Sequence, residues 1–212
     1  MVASGATMRG PAYLMVLAAI AAALFCGLAV AVETNGLPGF DEAVRMEVHS
    51  LATPLLTLLA EKLTWLGSLG VLALFGVVAV AVLVYAGRRH EAVLLTVTMV
   101  GALVLENGLK FSFQRARPPP FFGSEPLTYS FPSGHALFSL CFYGGLAIAA
   151  ARSVRSGAIK TGIWLATVLL VLAIGGTRIY LGVHYPSDVL GGYLVAIAWI
   201  SVVLIAEQRG RS

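Results

Sequence analysis

Residues 176–188 read GTRIYLGVHYPSD, from Gly176 to Asp188. The stretch closes one apolar segment and opens the next, and it contains Arg178, His184 and Asp188. Two earlier stretches have the same placement: Lys110 with Arg117-Pro118, and Pro132-Ser133-Gly134-His135. Between them they supply Lys and Arg side chains, a pair of imidazoles, a carboxylate and a Gly-containing turn. Each lies at the edge of an apolar run. That is the inventory needed to hold and cleave a phosphate at a membrane surface.

The composition around these stretches is that of a membrane protein. Mean hydropathy is +0.89 and only 11% of residues are charged, against about 25% in a soluble domain. The apolar runs are continuous, which disfavours the alternating pattern of a β-barrel. The reading is therefore all-α: one domain over residues 1–212, a bundle of six transmembrane helices. The spans are expected at 11–32, 63–87, 92–113, 133–150, 161–176 and 187–205. The first is longer than a signal-peptide core and is read as a retained anchor. The alternative is cleavage after Ala29-Val30-Ala31. Between the first two spans, 41–60 carries Val44, Val48, Leu51 and Leu55 at helical spacing. It reads as an amphipathic segment on the membrane surface, broken near Pro54.

Charge sets the expected orientation. If six spans alternate, Arg9, Arg88, Arg89, Arg152, Arg155, Lys160, Arg209 and Arg211 share one side. The positive-inside rule makes that side cytoplasmic. Both termini are then cytoplasmic, and all three motifs face outward. The net charge of +4 is scattered over loop ends and carries no nucleic-acid signal. Cys26 and Cys141 lie inside apolar runs without metal-ligand spacing and read as free thiols. No cofactor or metal is expected.

The motif residues have individual readings. Glu106 lies one helical turn before Lys110 and is expected either to pack the helix or to orient the lysine. Arg115 is two residues off the Lys-x6-Arg spacing and is expected to be solvated. His49 is read as a surface histidine. Ser133 reads as the cap of the fourth span, whose first amides and dipole offer an anion site beside Gly134. Ser187 reads as the cap of the sixth, with Asp188 in its first turn. A carboxylate four residues from His184 can accept its Nδ1–H and leave Nε2 free as base or nucleophile.

Taken together, the three stretches resemble the type 2 phosphatidic acid phosphatase (PAP2) superfamily. Its pattern is Lys-x6-Arg-Pro, Pro-Ser-Gly-His, then Ser-Arg-x5-His-x3-Asp. The one departure is Thr177, where the family often has serine. The resemblance implies that His184 is the nucleophile, Asp188 its orienter and His135 the general acid. It also implies that Lys110, Arg117, Ser133, Gly134 and Arg178 hold the phosphoryl oxygens, without a metal. The implied partner is a lipid phosphate in the bilayer of the plasma (inner) membrane. Undecaprenyl pyrophosphate is placed first, with phosphatidylglycerol phosphate and phosphatidic acid as alternatives. Lipid A is a further member of the set. Phe111, Phe113, Phe121 and Phe122 either line a tail entrance or anchor the loop. A non-catalytic anion or lipid transporter is the more distant alternative.

Overall fold

A computed structural model describes residues 10–123 and 126–210. Within them the chain forms eight helices and no strand: α1 (Gly10–Glu33), α2 (Pro38–Ser50), α3 (Pro54–Trp65), α4 (Leu69–Tyr85), α5 (Arg89–Phe113), α6 (Gly134–Ser153), α7 (Gly157–Tyr180) and α8 (Pro186–Arg209). Arg9 and Arg211, counted in the charge reading, lie outside the described residues.

Five helices (α1, α5, α6, α7 and α8) are each long and apolar enough to cross a membrane. A continuous helix is what such a sequence requires, because lipid offers no partner to an open backbone amide. Val77, Val104 and Leu169 point outward from this bundle. The expected second span is different from the reading. It is two helices, α3 and α4, bent by 49° at a short break. α4 has 17 residues, roughly 26 Å at 1.5 Å per residue, short of a hydrocarbon core of about 30 Å. The break expected near Pro54 is present: α2 ends at Ser50 and Pro54 begins α3, where Thr53 Oγ1 accepts the Leu56 amide at 3.2 Å.

The break at Leu66–Ser68 is held by packing. Tyr143 Oη donates to Leu66 O at 2.9 Å. Gly67 lies so close to α7 that a Cβ there would meet Ile174 at 2.4 Å and His135 at 3.1 Å. The bend therefore seats the start of α4 against a motif histidine.

α6 is the central helix and packs on α4, α5, α7 and α8, while α1 lies along α8. Leu137, Phe138, Cys141 and Phe142 carry its core face, against Leu72, Leu95, Ala102 and Ala196. Cys141 is buried and Cys26 exposed, both as free thiols.

Alternation of the long helices brings the end of α5, the start of α6, the end of α7 and the start of α8 to one end of the bundle. The other end carries a charged cluster. Glu207 there pairs with Arg152 at 2.7 Å and with His90 at 2.7 Å, and Arg88 pairs with Glu91 at 3.0 Å.

α2 buries more than the apolar stripe read from its pattern. Its inward face is charged: Asp41 and Arg45 are buried against the α7–α8 turn, and Phe40 and Met46 are exposed. Apolar spacing located the helix, but burial is decided here by ion-pair partners on other elements.

Candidate active site

The turn between α7 and α8 places the first group of motif residues. Arg178 is in the last turn of α7, and Gly182 follows with φ of +75°, a conformation that favours glycine. The 114–133 loop crosses directly above, with the Phe121 amide donating to Leu181 O at 3.1 Å. A Cβ on Gly182 would meet Phe121 N at 2.5 Å. This crossing sets the Arg117 side of the loop against His184.

His184 is 1% exposed and its ring is held from both sides. Its Nδ1–H donates to Asp188 Oδ2 at 3.2 Å, and Arg117 Nη1 donates to its Nε2 at 3.0 Å. Those two partners define a neutral imidazole with its lone pair on Nε2. Burial is the main cause that pushes the His184 pKa down to about 3; Asp188 pulls upward, while Arg117 and Arg178 add to the fall.

Asp188 is fully buried at the third position of α8. The Tyr185 amide donates to its Oδ2 at 2.8 Å, and Ser130 Oγ donates to the same oxygen. Asp188 thus serves as helix-start acceptor and histidine orienter at once. The residue preceding the helix is Tyr185, not the expected Ser187. Ser187 turns instead to Asp41, donating to Oδ2 at 2.6 Å.

Opposite His184 lies the start of α6. Ser133 precedes it, yet its side chain makes no capping bond, contrary to the reading. Its Oγ is buried without a hydrogen-bond partner, as is Nε of Arg178. Each such atom costs about 1–3 kcal/mol. A phosphate oxygen accepting from both would offset that cost. The first amides of α6 have no carbonyl in their own helix to bond, and the Ser133 amide is tied to Asp188 O at 2.9 Å.

The remaining cations close the cluster. Lys110 is 8% exposed, and its Nζ pairs with Glu106 Oε1 at 2.7 Å. Glu106 therefore orients Lys110, one of the two roles expected of it. Arg178 Nη1 donates to Thr64 Oγ1 at 2.8 Å. Arg117 is gripped by the Thr128 carbonyl at 2.6 Å and the Val183 carbonyl at 2.8 Å. His135 is half-buried, within electrostatic reach of Arg178, His184, Lys110 and Arg117. All eight residues singled out from the sequence, His184, His135, Asp188, Lys110, Arg117, Ser133, Gly134 and Arg178, therefore stand at this end of the bundle. Among the described residues, no group of three or more His, Cys, Asp or Glu is arranged to hold a metal ion.

Two further readings are corrected. Arg115 is not solvated: its Nη1 donates to Asp188 Oδ1 at 2.6 Å and its Nη2 to Asp41 Oδ2 at 2.8 Å. His49 is not a free surface group, because its ring stacks on Phe121 at 3.9 Å. The four phenylalanines have separate partners. Phe121 lies on His49, Phe122 stacks on Tyr180 and Phe113 meets Phe131, which leaves Phe111 exposed. Ser130, Asp41 and Thr128 were missed, since a serine, an aspartate and a threonine outside any motif carry no sequence signal.

Residues 91–211 match the model of the PAP2 superfamily, more than half of the chain. The chain belongs to the PAP2 superfamily. Among its PAP2 relatives is phosphatidylglycerophosphatase B of Bacillus subtilis, 26% identical over 87% of this chain and 92% of that one. Undecaprenyl-diphosphatase of Sulfolobus acidocaldarius is 27% identical over 60% of each chain. Lipid A 1-phosphatase of Rhizobium johnstonii is 35% identical over 50% of this chain and 43% of that one. Of solved structures, the PAP2-type phosphatidylglycerolphosphate phosphatase from Bacillus subtilis superposes with a TM-score of 0.81 at 25% identity, covering 95% of this chain and 98% of the other. LpxE of Aquifex aeolicus gives 0.60 at 25% identity, covering 78% and 94%. This PAP2 protein is accordingly a multi-span membrane phosphatase.

Proposed function

We propose that this PAP2 protein hydrolyses the phosphate or pyrophosphate head of a membrane lipid through a phosphohistidine on His184. The observation that carries the reading is the His184 ring, with Nδ1–H on Asp188 and the Nε2 lone pair directed at Arg117. Nε2 attacks the terminal phosphorus as its bond to the bridging oxygen breaks, the lipid alcohol leaving from a monophosphate and the lipid phosphate from a pyrophosphate. His135 gives its proton to that oxygen. Asp188 balances the charge developing on the imidazole. Water then attacks the phosphohistidine, His135 takes back a proton, the P–N bond breaks and inorganic phosphate leaves.

Lys110, Arg117, Arg178, the Ser133 hydroxyl and the Gly134 amide hold the phosphoryl oxygens. Catalysis of phosphoryl transfer is mostly positioning plus charge stabilisation, and fixed cations supply both. Activity is expected to persist in EDTA.

Residues 1–212 act as one domain with six spans, α3 and α4 together forming the second, and α2 lying at the interface. Arg88, Arg89, Arg152, Arg155, Lys160 and Arg209 belong to helix ends opposite the site. By the positive-inside rule that end is cytoplasmic, in the plasma (inner) membrane, and the site is extracytoplasmic. A substrate there keeps its tail in lipid.

Undecaprenyl pyrophosphate is the first substrate put forward, since cell-wall synthesis releases it on the outer face. Phosphatidylglycerol phosphate is the second reading, favoured by likeness over nearly the whole chain to a phosphatase of that name. The deciding experiment measures phosphate release in EDTA from both lipids, from phosphatidic acid and from lipid A, beside His184→Ala. Release that disappears in the variant supports the phosphatase, and the ranking of rates names the lipid. No release from any lipid by folded protein would sink the proposal and favour a transporter.

A further inference from the structure

Asp188 has two oxygens with separate partners. Oδ2 faces His184, Ser130 and the Tyr185 amide. Oδ1 faces Arg115 Nη1 at 2.6 Å. Arg115 also reaches Ser187 Oγ at 2.7 Å through Nη1 and Asp41 Oδ2 at 2.8 Å through Nη2, and its guanidinium lies 4.2 Å from the Tyr185 ring centroid. Asp41, fully buried on α2, accepts the Ser187 amide on Oδ1 at 3.0 Å. A continuous chain therefore runs from Asp41 through Arg115 and Asp188 to His184. It joins α2, the 114–133 loop, α8 and the turn before α8. Its groups are pinned from several directions, so their role is to position.

We propose that Asp41 and Arg115 are positioning residues for the nucleophile, holding Asp188 anionic and rotated so that Nδ1–H, and not Nε2–H, is the His184 tautomer. This rests on the phosphohistidine reading above. The physical sense is a balance of charge. Arg115 alone would hold Asp188 so firmly that the carboxylate could offer little to an imidazole gaining positive charge. Asp41 neutralises part of that pull and leaves Asp188 able to respond. The pair also locks the orientation of Asp188, because a guanidinium fork accepts only a narrow geometry. Burial opposes the charge on Arg115, but Asp188 and Asp41 outweigh it and raise its pKa above the ordinary value. It is thus a fixed cation at any working pH. α2 is by this account part of the catalytic unit and not only a membrane-surface helix.

The groups facing His184 in this arrangement are Asp188 on α8, Arg117 in the loop, and Arg178 on α7. His135 on α6 is also close, and it is itself near Lys110 on α5. Substitution at 41 or 115 keeps all of these side chains in place in the sequence and reaches His184 through Asp188, which Arg115 contacts directly.

The test uses the full-length protein in detergent, labelled with 15N-histidine. The chain has 4 histidines, and His184→Ala identifies the His184 resonances by their loss. The ring nitrogen shifts report the tautomer without any substrate, so this arm does not depend on the phosphatase proposal holding. In wild type the proton is expected on Nδ1. In Asp41→Asn and Arg115→Gln a measurable fraction is expected to move to Nε2, and Arg115→Lys should recover part of it. On whichever lipid the wild type hydrolyses, both variants should lower kcat about tenfold or more with KM within about twofold, the pattern of an interaction made in the transition state. The double variant should cost little more than Arg115→Gln alone, because the two residues act in series. An unchanged tautomer in folded Asp41→Asn and Arg115→Gln would overturn the proposal, as would a rise in KM with kcat intact. If Arg115→Gln fails to fold, Asp41→Asn alone decides it. Wild type without phosphatase activity would count against the phosphohistidine reading, and the tautomer result would still judge the positioning chain.

Discussion

Glu106 Oε1 lies 2.8 Å from where a Cβ on Gly134 would stand. The glycine of the Pro-Ser-Gly-His stretch is thus needed by a carboxylate one helix away, and that carboxylate also holds Lys110 at 2.7 Å. The start of α6 and the lysine of α5 are adjusted to each other through one side chain.

Gly134→Ala is expected to push Glu106 aside and break its pairing with Lys110, with Phe138 blocking the other escape at 3.2 Å. Phosphate grip should weaken. The measurement is inhibition by inorganic phosphate, with the inhibition constant rising about tenfold, the loss of one charge-assisted bond. A constant equal to wild type would mean Lys110 is held by other means.

Glu106→Ala leaves the Lys110 ammonium buried without its carboxylate. Removing one partner of a buried pair costs about 3–5 kcal/mol, so a fall in Tm of several degrees is expected. Thermal melting in detergent checks it. A Tm within a degree of wild type would show that Thr128, at 3.5 Å, or lipid suffices.

pH dependence follows from His184. Its pKa falls from an ordinary value near 6.5 to about 3 on folding, mainly through burial. Between those values the unfolded chain binds the proton and the native site does not. Stability contributed by neutral His184 is thus present above about pH 6.5 and lost as pH falls toward about 3. His184→Asn should flatten that limb of a stability-against-pH curve. For activity, the nucleophile stays neutral down to about pH 5, so the rate should not fall through loss of neutral His184 as pH drops from 7 to 6. Collapse of activity between pH 7 and 6 would contradict this.

His135→Ala removes the proton donor. Hydrolysis of a lipid monophosphate, whose alkoxide leaves poorly, should fall about 10²–10⁴-fold. Hydrolysis of p-nitrophenyl phosphate, whose phenolate leaves unaided, should fall far less. Equal losses on both substrates would make His135 a binding group instead.

Much of the site was readable from residue types and spacing. Lys110, Arg117, Ser133, Gly134, His135, Arg178, His184 and Asp188 all stand at or just beyond helix ends, where an apolar run stops. Glu106 was readable as the orienter of Lys110 because helical periodicity brings i and i+4 together. The i to i+4 relation of His184 and Asp188 was legible for its spacing alone; their backbone is a turn leading into a helix, not one continuous helix. Arg115 was misread because its partners are remote in sequence. Asp41 lies 74 residues away and Asp188 lies 73. No local pattern distinguishes a solvated arginine from one that bridges two buried carboxylates.

The sequence by itself determined that the chain lies in a membrane, which runs become helices, and which motif residues stand where those helices end. Local hydrophobicity and the need to satisfy backbone amides in lipid suffice for that. Tertiary structure alone decided that the second long segment breaks at Leu66–Ser68, that α2 turns its charged face inward, and that Asp41, Arg115 and Ser130 stand behind the His184–Asp188 pair. These outcomes depend on contacts between elements far apart in the chain. Burial of a charge is set by the partner that meets it, and the partner's arrival is a property of the packed bundle.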